Sequence, residues 1–339
     1  MGKVFVFCQA SGDVKYAFSL YEKYKEQGEV QVVLPPNQPC IDFVKELLGA
    51  GSVVLPPPPQ FSVRKPWRAL KARFFCAELY KTWFKGVRDA DVYFFSQEFD
   101  WFSLGFIHKL AKQGCRVVLY EHYSHDPHPV SGVSFMQWLS LKLYCFVAQA
   151  PFVYCRLGEH KERYQRVLQL RERCCEIEKT PAQYDEKIFS TFAFPVPNAE
   201  AGVLWIDSPD DGAIFNYEHT TREILSALKK ENLKVFVKPH PRLPLHRLYS
   251  DFDIEILPKE VPGEFLPLKR FRAVFGVESS LLGNAARTVS AYSFLRLYEW
   301  KDAGGQAYSE RLLGKASGGK VCYVESISEV TNLLGREAS

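Results

Sequence analysis

The stretch Val235-Phe236-Val237-Lys238-Pro239-His240-Pro241-Arg242 decides the fold. A short β-branched and aromatic run stops at a basic turn locked by two prolines, the pattern of a buried parallel strand ending at a sheet edge. Before it, Thr220 to Lys230 sets apolar residues at Ile224, Leu225 and Leu228, the spacing of an amphipathic helix. In open α/β sheets ligands lie at the carboxyl ends of the strands, which is where Lys238, His240 and Arg242 are expected. Side chains able to carry positive charge, gathered so closely, suit an anion such as phosphate.

The next apolar run, Ala273-Val274-Phe275-Gly276-Val277, ends in Glu278-Ser279-Ser280 and continues into the helix-like Leu281 to Ala286. One hydroxyl is enough to cap a helix, so the second is left over for a ligand at the same place. Upstream, Val203-Leu204-Trp205-Ile206 reads as the first strand of this α/β unit. The acidic turn Asp207-Ser208-Pro209-Asp210-Asp211-Gly212 follows it. That turn is either plain punctuation with a helix cap or a device that sets Asp210 or Asp211 at the cleft.

The chain begins as a second α/β unit. Val4 to Cys8 is a strand, Val14 to Gln27 a helix closed at Gly28, and Val30 to Leu34 a strand ended by Pro35-Pro36. The first apolar run is too short for a signal peptide, and no run approaches the length of a membrane span. No G-x-G-x-x-G is present, so a dinucleotide is not expected. Val92 to Phe95 and Arg116 to Tyr120 are further strands around a helix from Phe102 to Lys112. Phe135 to Phe152 reads as a helix leading into a strand, and the charged stretch Gly158 to Glu178 as an exposed helical excursion. With 339 residues two domains are expected, 1–198 and 199–339, joined at Pro195-Val196-Pro197-Asn198.

Composition is globular, 47% hydrophobic and 24% charged, and Lys+Arg 43 against Asp+Glu 39 leaves a net charge of +4, too small to indicate a nucleic-acid surface. The 9 cysteines show no metal-ligand spacing and stand mostly among apolar residues, which places reduced thiols in a cytosolic protein. Positive charge is clustered locally. Arg64, Lys65, Arg68, Lys71 and Arg73, interleaved with Trp67, Phe74 and Phe75, form either a helix with a solvated cationic face or one that meets an anionic acceptor or membrane surface. The second chemically loaded strand end is Glu121-His122-Tyr123-Ser124-His125-Asp126-Pro127-His128. Its spacing fits no compact metal-ligand pattern, so no metal is expected. Glu121 facing the cleft can instead take a proton from an attacking sugar hydroxyl.

Three segments in order, Val235 to Pro241, Val261-Pro262-Gly263-Glu264 and Phe275 to Leu282, resemble the nucleotide-binding half of bacterial sialyltransferases of the lipooligosaccharide and polysialic-acid capsule types. The likeness lies in a histidine-proline motif (His240-Pro241), a short segment ending in Glu264, and paired serines (Ser279-Ser280). It covers residues 200 to 295 well and the first half only in its order of elements. It implies a GT-B fold, two Rossmann-like domains facing a central cleft, and a metal-independent inverting glycosyltransferase without a cofactor. The donor would be a CMP-activated acidic sugar, CMP-sialic acid, and the acceptor a cell-surface glycan or glycolipid. By that resemblance His240 contacts the CMP phosphate and assists its departure, and Ser279 and Ser280 hold the phosphate. The backbone at Lys238 and Pro239 frames the nucleotide, and Glu264 lies near cytidine or ribose. The family's two acids and glycine after the last strand of the first domain are replaced here by Glu121-His122-Tyr123. Glu121 fills the base position, with His122 or His125 as alternatives. A CMP-Kdo transferase, with Asp210 or Asp211 as nucleophile, and a transferase of polyol phosphate from a CDP-activated donor are the alternatives within the fold. An inactive glycan- or membrane-binding scaffold is the alternative outside it. The expected location is the cytoplasm, at the inner face of the bacterial cytoplasmic membrane.

Overall fold

The computed structural model describes residues 2–36, 40–62, 64–65, 67–95, 100–120, 135–152, 172–174, 185–192, 202–207, 213–241 and 243–330. Contacts divide the chain into two compact units, Met1–Ala182 and Gln183–Ser339. The residues of the 195–198 linker lie outside those described.

Unit 1 holds a six-stranded sheet of β1 (Val4–Phe7), β2 (Val30–Leu34), β3 (Ser52–Val54), β4 (Asp91–Phe95), β5 (Arg116–Tyr120) and β6 (Glu172–Cys174), in the order β3-β2-β1-β4-β5-β6. Every pairing is parallel. The sequence explains the centre: β1 is Val-Phe-Val-Phe with all four residues buried, as a strand covered on both faces requires. Register between β4 and β5 is pinned at Asp91↔Arg116, where Arg116 Nε donates to Asp91 Oδ1 at 2.7 Å and Nη2 to Oδ2 at 2.6 Å. The helices of this unit are α1 (Val14–Tyr24), α2 (Ile41–Leu48), α3 (Trp67–Phe84), α4 (Trp101–Lys112) and α5 (Phe135–Ala148). Asp100 caps α4, its Oδ1 accepting the N–H groups of Phe102 and Ser103 at 3.2 Å each. The expected strand after α5 does not follow among the described residues, where 149–152 are irregular. Within the stretch read as a helical excursion the structure has β6 instead. Its three residues add an edge to β5, where charged side chains are tolerated and no apolar alternation betrays a strand.

Unit 2 repeats the design. After α6 (Asp185–Thr191) come β7 (Gly202–Ile206), α7 (Tyr217–Lys230), β8 (Lys234–Lys238), β9 (Ile254–Ile256), β10 (Ala273–Gly276), α8 (Ser280–Ala285), β11 (Ala291–Ser293), α9 (Ala303–Ser317) and β12 (Cys322–Tyr323). The sheet order is β12-β11-β10-β7-β8-β9, again all parallel. β7 is buried at every residue, and α7 packs Ile224, Leu225 and Leu228 into the core with Val203, Trp205, Val235 and Phe275. α9 starts at Asp302, whose Oδ1 accepts the Gly304 N–H at 3.0 Å, and stops at Gly318 in the left-handed region at φ +65°. Each sheet therefore places its first strand beside its fourth, and the chain turns from one side of the sheet to the other at that pair. Among the described residues no helix is long and apolar enough to cross a membrane.

Candidate active site

In unit 2 the turning point lies between β7 and β10, with β8 on the far side of β7. The carboxyl ends of these three strands deliver Asp207, then Lys238-Pro239-His240-Pro241, then Glu278-Ser279-Ser280 to one edge. The ladder continues past the strands, the Asp207 N–H donating to the Lys238 carbonyl at 3.0 Å. That bond sets the start of the acidic turn directly beside the histidine-proline turn.

Asp207 is 5% exposed and is the focus of a buried network. The Trp205 Nε1–H donates to the Tyr249 hydroxyl at 2.9 Å, and that hydroxyl donates to Asp207 Oδ1 at 2.6 Å. The Tyr217 hydroxyl donates to the same oxygen at 3.2 Å. Burial pushes the Asp207 carboxyl above the ordinary aspartate range, opposed by the hydrogen bonds from Tyr249 and Tyr217 and by the charges of His240 and His246. The tyrosines are held in turn. Tyr217 stacks on Tyr298 at 5.8 Å, and the Tyr298 hydroxyl meets Thr221 Oγ1 at 2.8 Å. His246 accepts the Leu248 N–H on Nδ1 at 3.2 Å and caps the turn that carries Tyr249. Asp207 was not among the residues expected at the cleft. The readable signal was its place as the first polar residue after the apolar run of β7.

The expected residues after β8 divide by burial. Lys238 is 3% exposed, and its ammonium donates to the carbonyls of Pro239 at 3.0 Å, Lys259 at 3.2 Å and Pro258 at 3.4 Å. Its side chain thus ties the end of β8 to the segment after β9. Pro239 is buried, while His240 and Pro241 are half-buried.

Ser279 and Ser280 also divide. Ser279 Oγ accepts the Leu281 N–H at 3.1 Å and caps α8, whereas Ser280 is exposed in the first turn. Glu264 arrives from a distant stretch. Val261 and Pro262 are buried ahead of it, and a methyl group on Gly263 would lie 2.2 Å from Leu281 Cδ2. Glycine is what lets this turn rest on the first turn of α8, so the Glu264 segment and the paired serines are neighbours. The fold brings together the three segments on which the resemblance rests, and adds Asp207. Glu121, His122, His125, Asp210, Asp211 and Arg242 lie outside the described residues. The basic residues Arg64, Lys65, Arg68 and Lys71 are exposed and Arg73 half-buried, all in or just before α3 of unit 1.

No family model matches the sequence, and no curated protein matches it. Solved structures do match over nearly the whole length. The α/β-galactoside α-2,3-sialyltransferase of the luminous marine bacterium Photobacterium phosphoreum has a TM-score of 0.51 at 12% identity, over 97% of this chain and 99% of that one. The UDP-GlcNAc 2-epimerase of Methanocaldococcus jannaschii has a TM-score of 0.52 at 9% identity, over 99% and 91%. The glycotransferase of kitacinnamycin has 0.51 at 9%, over 100% and 91%. Such identities speak to fold alone, and the fold is the GT-B type with two Rossmann-like domains.

Proposed function

We propose that the protein is a metal-independent glycosyltransferase that moves an acidic sugar, sialic acid, from its CMP ester to a hydroxyl of a glycan or glycolipid, with inversion. The observation that carries this reading is the gathering of His240, Ser280 and the Glu264 turn at one sheet edge, beside the buried carboxylate of Asp207. The resemblance of those same segments to bacterial sialyltransferases supports the choice of donor, and the GT-B fold is compatible with it.

In this mechanism the acceptor oxygen attacks the anomeric carbon and gives its proton to the Glu121 carboxylate. The bond from that carbon to the phosphate oxygen breaks, and the electron pair leaves with CMP. Negative charge grows on the phosphate as it departs, so donors fixed around it lower the barrier. His240, beside the Asp207 side chain, donates a proton to the leaving oxygen. Ser280 and the backbone at Lys238 and Pro239 steady the phosphate, and Glu264 takes the ribose or base. Asp207 acts through His240 and is a positioning residue.

The test is release of CMP by the purified protein, without added metal, from CMP-sialic acid, CMP-Kdo and CDP-glycerol, each with and without a glycan acceptor. Release from CMP-sialic acid, lowered about 100-fold or more by His240→Ala and by Glu121→Gln, is expected. Preference for CMP-Kdo moves the donor assignment and directs attention to Asp210 and Asp211. Full activity in both variants overturns the mechanism. Binding of CMP with no turnover of any donor, acceptor present, favours the scaffold.

A further inference from the structure

Unit 1 carries a surface for which the donor chemistry has no use. Over its first half α3 reverses the usual pattern of a packed helix, while Leu79 and Phe84 are buried further on. Its buried side has the small residues Ala69, Ala72 and Cys76, whereas Trp67, Leu70 and Phe74, spaced by three and four on the opposite side, are 62%, 49% and 72% exposed. α5 packs along α3 and begins with Phe135 and Met136, 69% and 55% exposed. Large apolar side chains turned outward in a group mark an interaction surface. The sequence around them is selective in charge: from Leu47 to Ala77 there is no acidic residue, while Arg64, Lys65, Arg68, Lys71 and Arg73 are present.

Beside this stripe, α3, α4 and α5 enclose an open recess of about 660 Å³, lined by Arg73, His108, Lys109, Lys112, Lys142 and Phe146 among others, with no acidic residue in its wall. Aromatic faces hold three of its cations. The Arg73 guanidinium lies 4.4 Å from the Phe146 ring centre and donates to the Phe146 carbonyl, Lys109 Nζ lies 4.7 Å from the Tyr80 ring, and Lys142 Nζ lies 3.6 Å from the Trp138 ring. Among the described residues no carboxylate pairs with Arg73, Lys109, Lys112 or Lys142. Burial, together with the Arg73 charge, lowers the proton affinity of Lys109 against a smaller opposing pull from Cys76. An anion entering the recess relieves that crowding.

We propose that this face of unit 1 docks on the surface of an anionic phospholipid bilayer, with lipid phosphates in the recess and Trp67, Leu70 and Phe74 seated at the headgroup level. A soluble anion has no need of the exposed aromatic stripe, and an apolar protein partner has none of the cationic recess; an anionic membrane surface needs both. The inference goes beyond the donor reading and does not depend on it.

The test is co-sedimentation of the full chain with sucrose-loaded vesicles of phosphatidylcholine, alone or with phosphatidylglycerol as about a third of the lipid. Partitioning at least about 20-fold stronger onto the anionic vesicles is expected, weakening as salt is raised. Arg73→Ala and Lys142→Ala should each lose roughly fivefold, and Trp67→Ser with Phe74→Ser about tenfold or more. Lys229→Glu with Lys230→Glu, on the exposed end of α7 in unit 2, should bind as the parent does. Should Arg73→Ala misfold by circular dichroism, Lys142→Ala carries the comparison. Equal partitioning onto both vesicle types, no sedimentation, or variants that bind as the parent does would overturn the proposal. So would saturable binding of free glycerol 3-phosphate, lost in Lys142→Ala, without vesicle binding, which identifies a soluble ligand.

Discussion

Asp207 shows how one carboxyl group can set both stability and chemistry. Its proton affinity is higher folded than unfolded because burial outweighs the tyrosine hydroxyls and histidine charges that favour the anion. The native state therefore holds this proton at a pH where the unfolded chain has released it, and the group costs stability as pH rises from about 4. Asp207→Asn, which does not titrate, should gain on the parent in urea midpoint as pH rises above about 4. A constant gap would mean an unperturbed carboxyl. In the proposed reaction Asp207 acts through His240, so the same variant should lower kcat for CMP release about tenfold and leave the donor KM nearly unchanged. The place of His240 at the sheet edge was legible because an apolar β-branched run stops at Lys238-Pro239, although a rigid structural turn was an equal reading of those residues alone. Asp207 was not, because Ser208-Pro209-Asp210-Asp211-Gly212 explains an acidic start as simple turn chemistry, and burial of one carboxyl among Trp205, Tyr217 and Tyr249 is assembled from residues far apart in sequence.

Among the elements, the tie from β8 to the segment after β9 rests on Lys238. Its ammonium satisfies main-chain carbonyls that would otherwise be left without this donor, so Lys238→Met should cost about 2 kcal/mol in urea unfolding. A stable Lys238→Met protein with a raised donor KM would instead assign the ammonium to the ligand. The strong central strands were readable from their β-branched and aromatic runs, and their ends fell within a residue or so of the expected places. β3, β9 and β12 are two or three residues long and β6 is charged, so neither length nor alternation announced them. α3 was readable as a helix but not for its orientation: aromatic residues promise burial, and only the packing of Ala69, Ala72 and Cys76 shows that small residues took the inner face.

For the whole molecule, both sheets follow one plan. Counted from the first strand of each unit, the orders are both 3-2-1-4-5-6, and each sheet is completed within its own stretch of chain. This doubling was legible, since two series of alternating strands and helices were visible; what lies at each turning point depends on the residues. In unit 1 the Asp13 carboxylate after β1 accepts the N–H groups of Gln9 and Ala10 at 2.8 and 2.7 Å, so a carboxylate occupies backbone donors of the kind that a phosphate would use. In unit 2 the corresponding edge offers His240 and Ser280. Residues 183–339 expressed alone should therefore fold and bind CMP, by calorimetry, without transferring sugar, whereas residues 1–182 should not bind it. CMP binding by the first piece alone would reverse the assignment of the two units.

The matching strand orders also bear on how such a protein can change over generations. A crossover near residue 183 exchanges an entire sheet and separates no paired strands. A lineage can then acquire a new partner for one half by recombination, where point substitution would have to pass through damaged sheets.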